Sequence, residues 1–148
     1  MHSFTSALFH CVFSTKERKP LITDALAVRL WPYLGGIARE NRIKALEIGG
    51  VADHLHLLLA LPAALSVAKA MQLLKGNSSR WINETFREHR GFVWQEGYGA
   101  FSIGIGDVSR TKNYIRNQPI HHQRRTFTEE LKAILNRHGI PYDDRMLA

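Results

Sequence analysis

The segment His54-Leu55-His56-Leu57-Leu58-Leu59-Ala60-Leu61 constrains this chain more than any other. It follows Gly49-Gly50 and Asp53, and Pro62 closes it. The longest apolar stretch, Leu57 to Leu65, contains that proline and falls far short of the ~20 residues a membrane-spanning helix needs. A short apolar run between turn signals reads as a buried strand. Residues two apart on a strand share a face, so His54 and His56 point one way and Leu55 the other. Through Leu57 and Leu59 the histidine face is expected to run on into core. Two imidazoles about 7 Å apart along one strand can ligate a single metal ion. They can equally be two half-buried histidines of a sheet, because a metal site needs a third ligand from elsewhere.

The rest of the chain supplies a sheet for that strand. Phe4 to Ser14 is aromatic and β-branched, with Phe9, Cys11 and Phe13 on one side and Leu8, His10 and Val12 on the other. A basic loop, Lys16 to Pro20, follows. Thr23 can cap a helix from Asp24 to about Glu40, with Leu26, Leu30, Leu34 and Ile37 on one stripe and Pro32 expected to kink or split it. Ile43 to Ile48 reads as a strand that turns back into the histidine strand. Ser66 can cap a long helix to about Arg87, whose buried face is Val67, Met71, Leu74, Ser78 and Trp81. A last strand is expected over Phe101 to Ile105. Helices follow from Val108 to about Asn117, stopped by Pro119, and from Phe127 to His138, ended by Gly139 and Pro141. The order β-α-β-β-α-β is the ferredoxin-like plan: an α+β fold with an antiparallel sheet and helices on one face. At 148 residues, one domain spanning 1–148 is the default, with the tail from about residue 123 as an appendage to it.

Charge narrows the partners. Twenty Lys+Arg against thirteen Asp+Glu give +7, and the sequence pI is near 9.9, a balance that favours a polyanion. The one cysteine, Cys11, has no intrachain partner and points to a reduced, cytoplasmic setting. The opening residues show no basic segment followed by an apolar one, so no secretory signal and no membrane partner are expected.

A second group lies at Tyr114 and Gln118, four apart and therefore on one face of a helix. A tyrosine oxygen can act as a covalent nucleophile, and a glutamine carbonyl can bind a hard cation. On its own the pair reads as readily as half-buried packing. Placed over the histidine face, it would bring nucleophile, ligand and two imidazoles to one point.

His54-Leu55-His56 matches an H-U-H motif, where U is bulky and apolar. Together with Tyr114 and Gln118, LKGNSSRW (Leu74 to Trp81), WQEGYGAFS (Trp94 to Ser102), YIRNQPIHH (Tyr114 to His122) and HCVFSTKERKPLI (His10 to Ile22), it resembles the single-tyrosine HUH transposases of small insertion sequences. That family includes the relatives associated with repetitive extragenic palindromes. The resemblance runs from about Phe4 to the C-terminus. It implies a ferredoxin-like sheet with an added tyrosine-bearing helix and helical tail. It also implies a transposase that cleaves and rejoins single-stranded DNA through a 5′-phosphotyrosine intermediate, with Tyr114 as nucleophile. His54, His56 and Gln118 would hold a divalent cation, Mg²⁺ or Mn²⁺. Hairpin DNA at element ends is the implied partner, and a homodimer the implied assembly, in which the tyrosine helix can pack on the partner's histidines.

DNA-binding candidates are Lys75 and Arg80 on the long helix, Lys16 and Arg18 in the basic loop, and Arg116 beside the tyrosine. His121 and His122 are read as facing DNA or solvent, not as ligands, and His10 is left outside the site. The competing reading is a non-catalytic or domesticated nucleic-acid-binding module on the same fold, which would need bases stacking on exposed sheet aromatics and no use for His54, His56 and Gln118 together.

Overall fold

A computed structural model of the chain describes residues 1–147. Four strands, β1 (Leu8–Ser14), β2 (Lys44–Gly50), β3 (His54–Ala60) and β4 (Gly99–Ile103), form one sheet in the order β2-β3-β1-β4, antiparallel at every pairing. With helices α1 (Asp24–Glu40) and α2 (Val67–Thr85), this is the ferredoxin-like β-α-β-β-α-β plan expected from the sequence. β2 ends two residues later than expected, and β4 starts and ends two residues earlier.

Both long helices begin as their sequences direct. The Thr23 hydroxyl accepts from the Leu26 N–H and the Ser66 hydroxyl from the Lys69 N–H, satisfying donors that the first turn leaves unpaired. Their stripes meet one face of the sheet. Leu26, Leu30 and Leu34 from α1 and Met71, Leu74 and Ile82 from α2 are buried against Cys11, Phe13, Leu55, Leu57 and Leu59. Leu57 and Leu59 therefore belong with Leu55. Strand alternation carries the histidine face on through Leu58 instead, because odd and even positions of β3 point apart. Ile82, not Trp81, completes the buried stripe of α2; Trp81 is half-buried and stacks on Tyr33 with centroids 4.0 Å apart. Pro32 does not split α1. The carbonyl that loses its partner belongs to Val28, an exposed position, where water can replace the bond.

The opposite face is covered too. α3 (Val108–Arg116), α4 (Gln118–His121) and α5 (Phe127–Arg137) lie on the C-terminal side of the chain. Asn117 ends α3, so Tyr114 and Gln118 stand on two consecutive helices instead of one. Pro119 starts α4 rather than stopping α3, because the first turn of a helix needs no N–H there. α3 sits close over β2: a Cβ added at Gly49 would lie 3.0 Å from the Ile115 carbonyl oxygen. α5 opens with a reciprocal capping box between Thr126 and Glu129 and buries Phe127 and Ile134 against Val12 and Phe101. Among the described residues, no helix is long and apolar enough to cross a membrane.

Candidate catalytic and metal centre

Strand register assembles the centre. Ser14 pairs with His54, Val12 with His56 and His10 with Leu58, so His10 shares the face of the two β3 histidines. α3 brings Tyr114 over that face, α4 brings Gln118, and α5 lays Glu130 between them. His54, His56, Gln118 and Glu130 are fully buried, and His10 is nearly so.

The Glu130 carboxylate is the hub. One oxygen, Oε1, lies 3.0 Å from His56 Nε2, 3.2 Å from His122 Nε2 and 3.3 Å from His54 Nε2. The other, Oε2, accepts from the Tyr114 hydroxyl and from the Gln118 amide at 3.0 Å. Gln118 Oε1 lies 3.1 Å from His54 Nε2. Outer partners fix two of the rings: His54 Nδ1 is 2.7 Å from Asp53 Oδ1, and His56 Nδ1 is 2.7 Å from His10 Nε2. His121 stacks on the Tyr114 ring at 4.8 Å. Donor atoms of His54, His56, His122 and Glu130 all lie within 4.8 Å of one another, so this His-His-His-Glu group could bind a metal ion.

Burial and charge set the protonation of the group. Burial opposes charge on His54, but its bonds to Asp53 and Glu130 outweigh that and push its pKa up to about 9. Burial dominates at His56 and His10, lowering both, His10 to about 3 with the neighbouring His56 adding to the effect. Burial would raise Glu130, yet the surrounding imidazoles of His122, His54 and His56 hold it far below the usual carboxylate range. Tyr114 is pushed up to about 12 by burial and by the Glu130 carboxylate. At rest, then, the phenol is neutral and the carboxylate ionised.

All four residues expected at the centre, Tyr114, His54, His56 and Gln118, do come together around one carboxylate. Sequence reasoning missed three neighbours. His10 was left out, and its parity with Val12 on β1 was the available signal. His122, expected to face DNA or solvent, turns its Nε2 into the cluster. Glu130 went unnoticed, although it falls between Phe127 and Ile134 on the buried stripe of α5.

A model of the family described as "Transposase IS200 like" matches residues 3–118. The chain belongs to the IS200-like transposase family. The IS200 transposases of Salmonella typhimurium and Salmonella typhi are each 28% identical to it over 123 residues, covering 79% of this chain and 80% of theirs. Two solved structures share the fold. One is a candidate transposase from Deinococcus radiodurans, with a TM-score of 0.64 at 24% identity, over 80% of this chain and 95% of that one. The other is a REP-associated tyrosine transposase bound to a REP hairpin, with a TM-score of 0.62 at 13% identity, over 82% of this chain and 72% of that one. In this transposase-family chain, Tyr114, His54, His56 and Gln118 fall within the matched segment, while His122 and Glu130 lie beyond it.

The five basic candidates do not gather at the centre. Lys75 Nζ donates to the Gln95 and Gly97 carbonyls, each at 2.7 Å, which ties down the loop before β4. Arg80 is exposed beside Asn77. Lys16 is exposed. Arg18 reaches Thr128 and the Leu147 carbonyl and lies over the Phe127 ring, so it anchors the tail. Arg116 pairs with Glu47 at 2.9 Å on the surface. A polar cleft beside His122 is lined instead by Asp53, His122, Arg124, Arg125 and Thr126.

Proposed function

We propose that this chain is a tyrosine transesterase that cuts and rejoins single-stranded DNA, all 148 residues serving one catalytic unit. One observation carries the reading: the Tyr114 hydroxyl and the Nε2 atoms of His54 and His56 converge on one carboxylate, so an anion already sits where nucleophile and imidazoles meet. A scissile phosphodiester is an anion of similar reach. In the proposed cleavage, the Tyr114 oxygen attacks phosphorus, the bond from phosphorus to the 3′ oxygen breaks, and the phenolic proton is passed on as the strand leaves with a free 3′-OH. The product is a 5′-phosphotyrosine. Attack by a 3′-OH on that link reverses the step, joins strands and returns the proton to Tyr114. No nucleotide is consumed, because one phosphoester replaces another.

The donor set suits a divalent cation. His54 and His56 supply imidazole nitrogen, and Gln118 supplies a carbonyl oxygen that already faces His54. Such a mixture accepts Mn²⁺ more readily than Mg²⁺. When bound, the cation would neutralise charge growing on the phosphate oxygens. Tyr114 needs that help most, since burial and Glu130 hold it protonated at neutral pH. Gln118 orients the carboxylate side of the centre through its amide, and Asp53 fixes the ring of His54.

Hairpin DNA is the proposed partner. The REP-bound relative and the net charge of +7 support it. Lys16, Arg18, Lys75, Arg80 and Arg116 remain candidate phosphate contacts, with Arg80 and Lys16 the freest. A homodimer is part of the proposal. Tyr114 lies 5.7 Å, centroid to centroid, from His56 of its own chain, and exchange of the tyrosine helix between the two chains is the alternative arrangement of that dimer.

The test is covalent trapping. Labelled single-stranded DNA from the flanks of the gene is incubated with the protein and Mn²⁺ or Mg²⁺, and denaturation-resistant protein–DNA bands are counted. The expected band requires both Tyr114 and metal: Tyr114→Phe and EDTA each abolish it. Cleavage without an adduct points to a water-using nuclease. Binding without cleavage points to the non-catalytic module.

A further inference from the structure

We infer that Arg125 is a catalytic residue of the proposed transesterase: its guanidinium holds the scissile phosphodiester against the Tyr114 oxygen, and stabilises that oxygen as it bonds to phosphorus and again as it leaves. The inference rests on the tyrosine reading of the site and deepens it.

The link between α4 and α5 wraps the tyrosine. Pro119 opens α4, and His121 at its end stacks on the Tyr114 ring. A tight turn follows, closed by the Gln123 N–H on the Ile120 carbonyl and the Arg124 N–H on the His121 carbonyl. Thr126 then caps α5. Arg125 is the one residue between that turn and that cap, so its backbone is fixed at both ends. Its side chain is half-buried, whereas that of Arg124 is exposed. Burial and the Glu130 carboxylate push the Tyr114 phenol up to about 12, and hydrogen bonding from Arg125 and Gln118 works against both.

The surroundings of Arg125 call for an anion. Arg124 and Arg125 line a polar cleft of about 510 Å³, with room for a nucleotide-sized group. The cleft borders the catalytic centre, because two more of its lining residues touch the buried cluster. Asp53 Oδ1 lies 2.7 Å from His54 Nδ1, and His122 Nε2 lies 3.2 Å from Glu130 Oε1. The carboxylates nearby are engaged: Asp53 by His54, Glu130 by the imidazoles and Glu129 by Thr126. Among the described residues, Arg125 forms no ion pair. Arginine cannot shed its proton, and a charge withdrawn from water is costly unless it is paired. A phosphodiester entering the cleft brings the missing counter-charge to the oxygen that attacks it.

The reaction suits a fork of donors better than a point charge. A guanidinium gives two parallel N–H groups to two oxygens on one atom, which a lysine does not. When Tyr114 attacks, its oxygen and the non-bridging oxygens share one phosphorus, so the fork can span the reacting oxygen and its neighbour. In cleavage the bond from the Tyr114 oxygen to phosphorus forms, the bond to the 3′ oxygen breaks, and the phenolic proton ends on the 3′ oxygen. In rejoining each change reverses, and the electron pair of the broken bond returns to Tyr114. Arg125 gives and takes no proton; it stabilises negative charge on the tyrosine oxygen in both directions. Arg125 lies beyond residue 118, where the family match ends, which makes the tail a contributor to the chemistry.

The test separates rate from affinity. Full-length Arg125→Ala, Arg125→Lys and Arg124→Ala proteins, in excess, are mixed with labelled single-stranded DNA from the flanks of the gene and Mn²⁺. The single-turnover rate of adduct formation is measured and, without metal, the DNA affinity by fluorescence anisotropy. Arg125→Ala should slow adduct formation by about 10²–10³-fold, the range for removing one donor from a developing charge, with affinity falling no further than in Arg124→Ala. Arg125→Lys should hold its affinity yet recover only part of the rate. Guanidinium ion below denaturing concentrations should restore rate to Arg125→Ala, where tetramethylammonium at equal ionic strength does not; a packing defect would respond to neither. Circular dichroism verifies each fold, and Arg125→Lys, which keeps stem and charge, stands in if Arg125→Ala fails to fold. A wild-type adduct that Arg125→Ala forms at an undiminished rate overturns this inference alone, as does a loss confined to affinity or a slow rate that guanidinium leaves unrestored. Absence of any adduct in the wild-type protein overturns the transesterase reading itself, and this inference with it.

Discussion

The two faces of the sheet are built on opposite principles. Beneath α1 and α2, the buried side chains are almost all apolar, leucines, isoleucines, Met71, Phe13, Phe92 and Trp94 among them, with one thiol, Cys11, pushed up to about 12 by burial. Across the same strands, His10, His54, His56, Gln118 and Glu130 are buried just as deeply. Apolar burial contributes roughly 25 cal/mol per Å² without directional demands, so the first face can stabilise the fold by filling space. On the second, an unpaired polar group costs about 1–3 kcal/mol, so the arrangement survives only through mutual pairing. A single sheet thus keeps its larger apolar core on one side and its reactive groups on the other, where a smaller apolar cluster of Val12, Phe101, Phe127 and Ile134 flanks them.

The strongest way to break this comparison is on the apolar side. Leu57→Ala opens a cavity among Leu55, Leu59 and the two helices, and is expected to cost about 2–5 kcal/mol. Thermal unfolding would show it, at about 2–4 °C per kcal/mol for a chain of this size. Because Leu57 points away from the histidines, DNA-adduct formation below the transition should persist. Loss of adduct in a folded Leu57→Ala protein would show that the faces are not independent.

Gly49→Ala sits between the two principles and should cost somewhat less. A methyl there would press on the Ile115 carbonyl oxygen at 3.0 Å, and overpacking of this kind costs about 1–3 kcal/mol. The contact is backbone, so α3 must lift, and Tyr114 with it. Unlike Leu57→Ala, this change is expected to lower stability and adduct yield together, even well below the melting temperature.

The faces also differed in how far their sequences could be read. Helical stripes and the alternation of β1 revealed the apolar side almost in full, because non-directional burial leaves a periodic trace. On the polar side, the His54-Leu55-His56 strand and Tyr114 were legible from motif and spacing. Gln118 was placed on the tyrosine helix by the rule of four, yet Asn117 breaks that helix and the side chain arrives from the next one. Glu130 left a trace that was overlooked, a lone carboxylate on the stripe of Phe127 and Ile134. His122 left none, since residues 119–126 have no period and only tertiary folding turns its ring inward. Lys75 shows the same limit in reverse: a lysine on a helix looks free, but two loop carbonyls hold it.

The smallest expected effect is the most discriminating, because it touches only the cover of the polar face. Thr126 caps α5 by accepting from the Glu129 N–H, while Glu129 reaches back to the Thr126 N–H. Thr126→Ala should cost about 1 kcal/mol. If the sheet and the apolar face carry the global stability, that loss will fall on α5 alone: its amides will exchange faster while those of β1 and β3 stay as protected as before. α5 carries Glu130, so the same change should loosen the carboxylate from Tyr114 without altering any group at the centre. Adduct formation is then the informative readout. An increase would mean that the docked carboxylate competes with the phosphate for its place beside the tyrosine. A decrease would mean that α5 holds the histidines and Tyr114 in working order, making the tail part of the catalytic architecture rather than its cover.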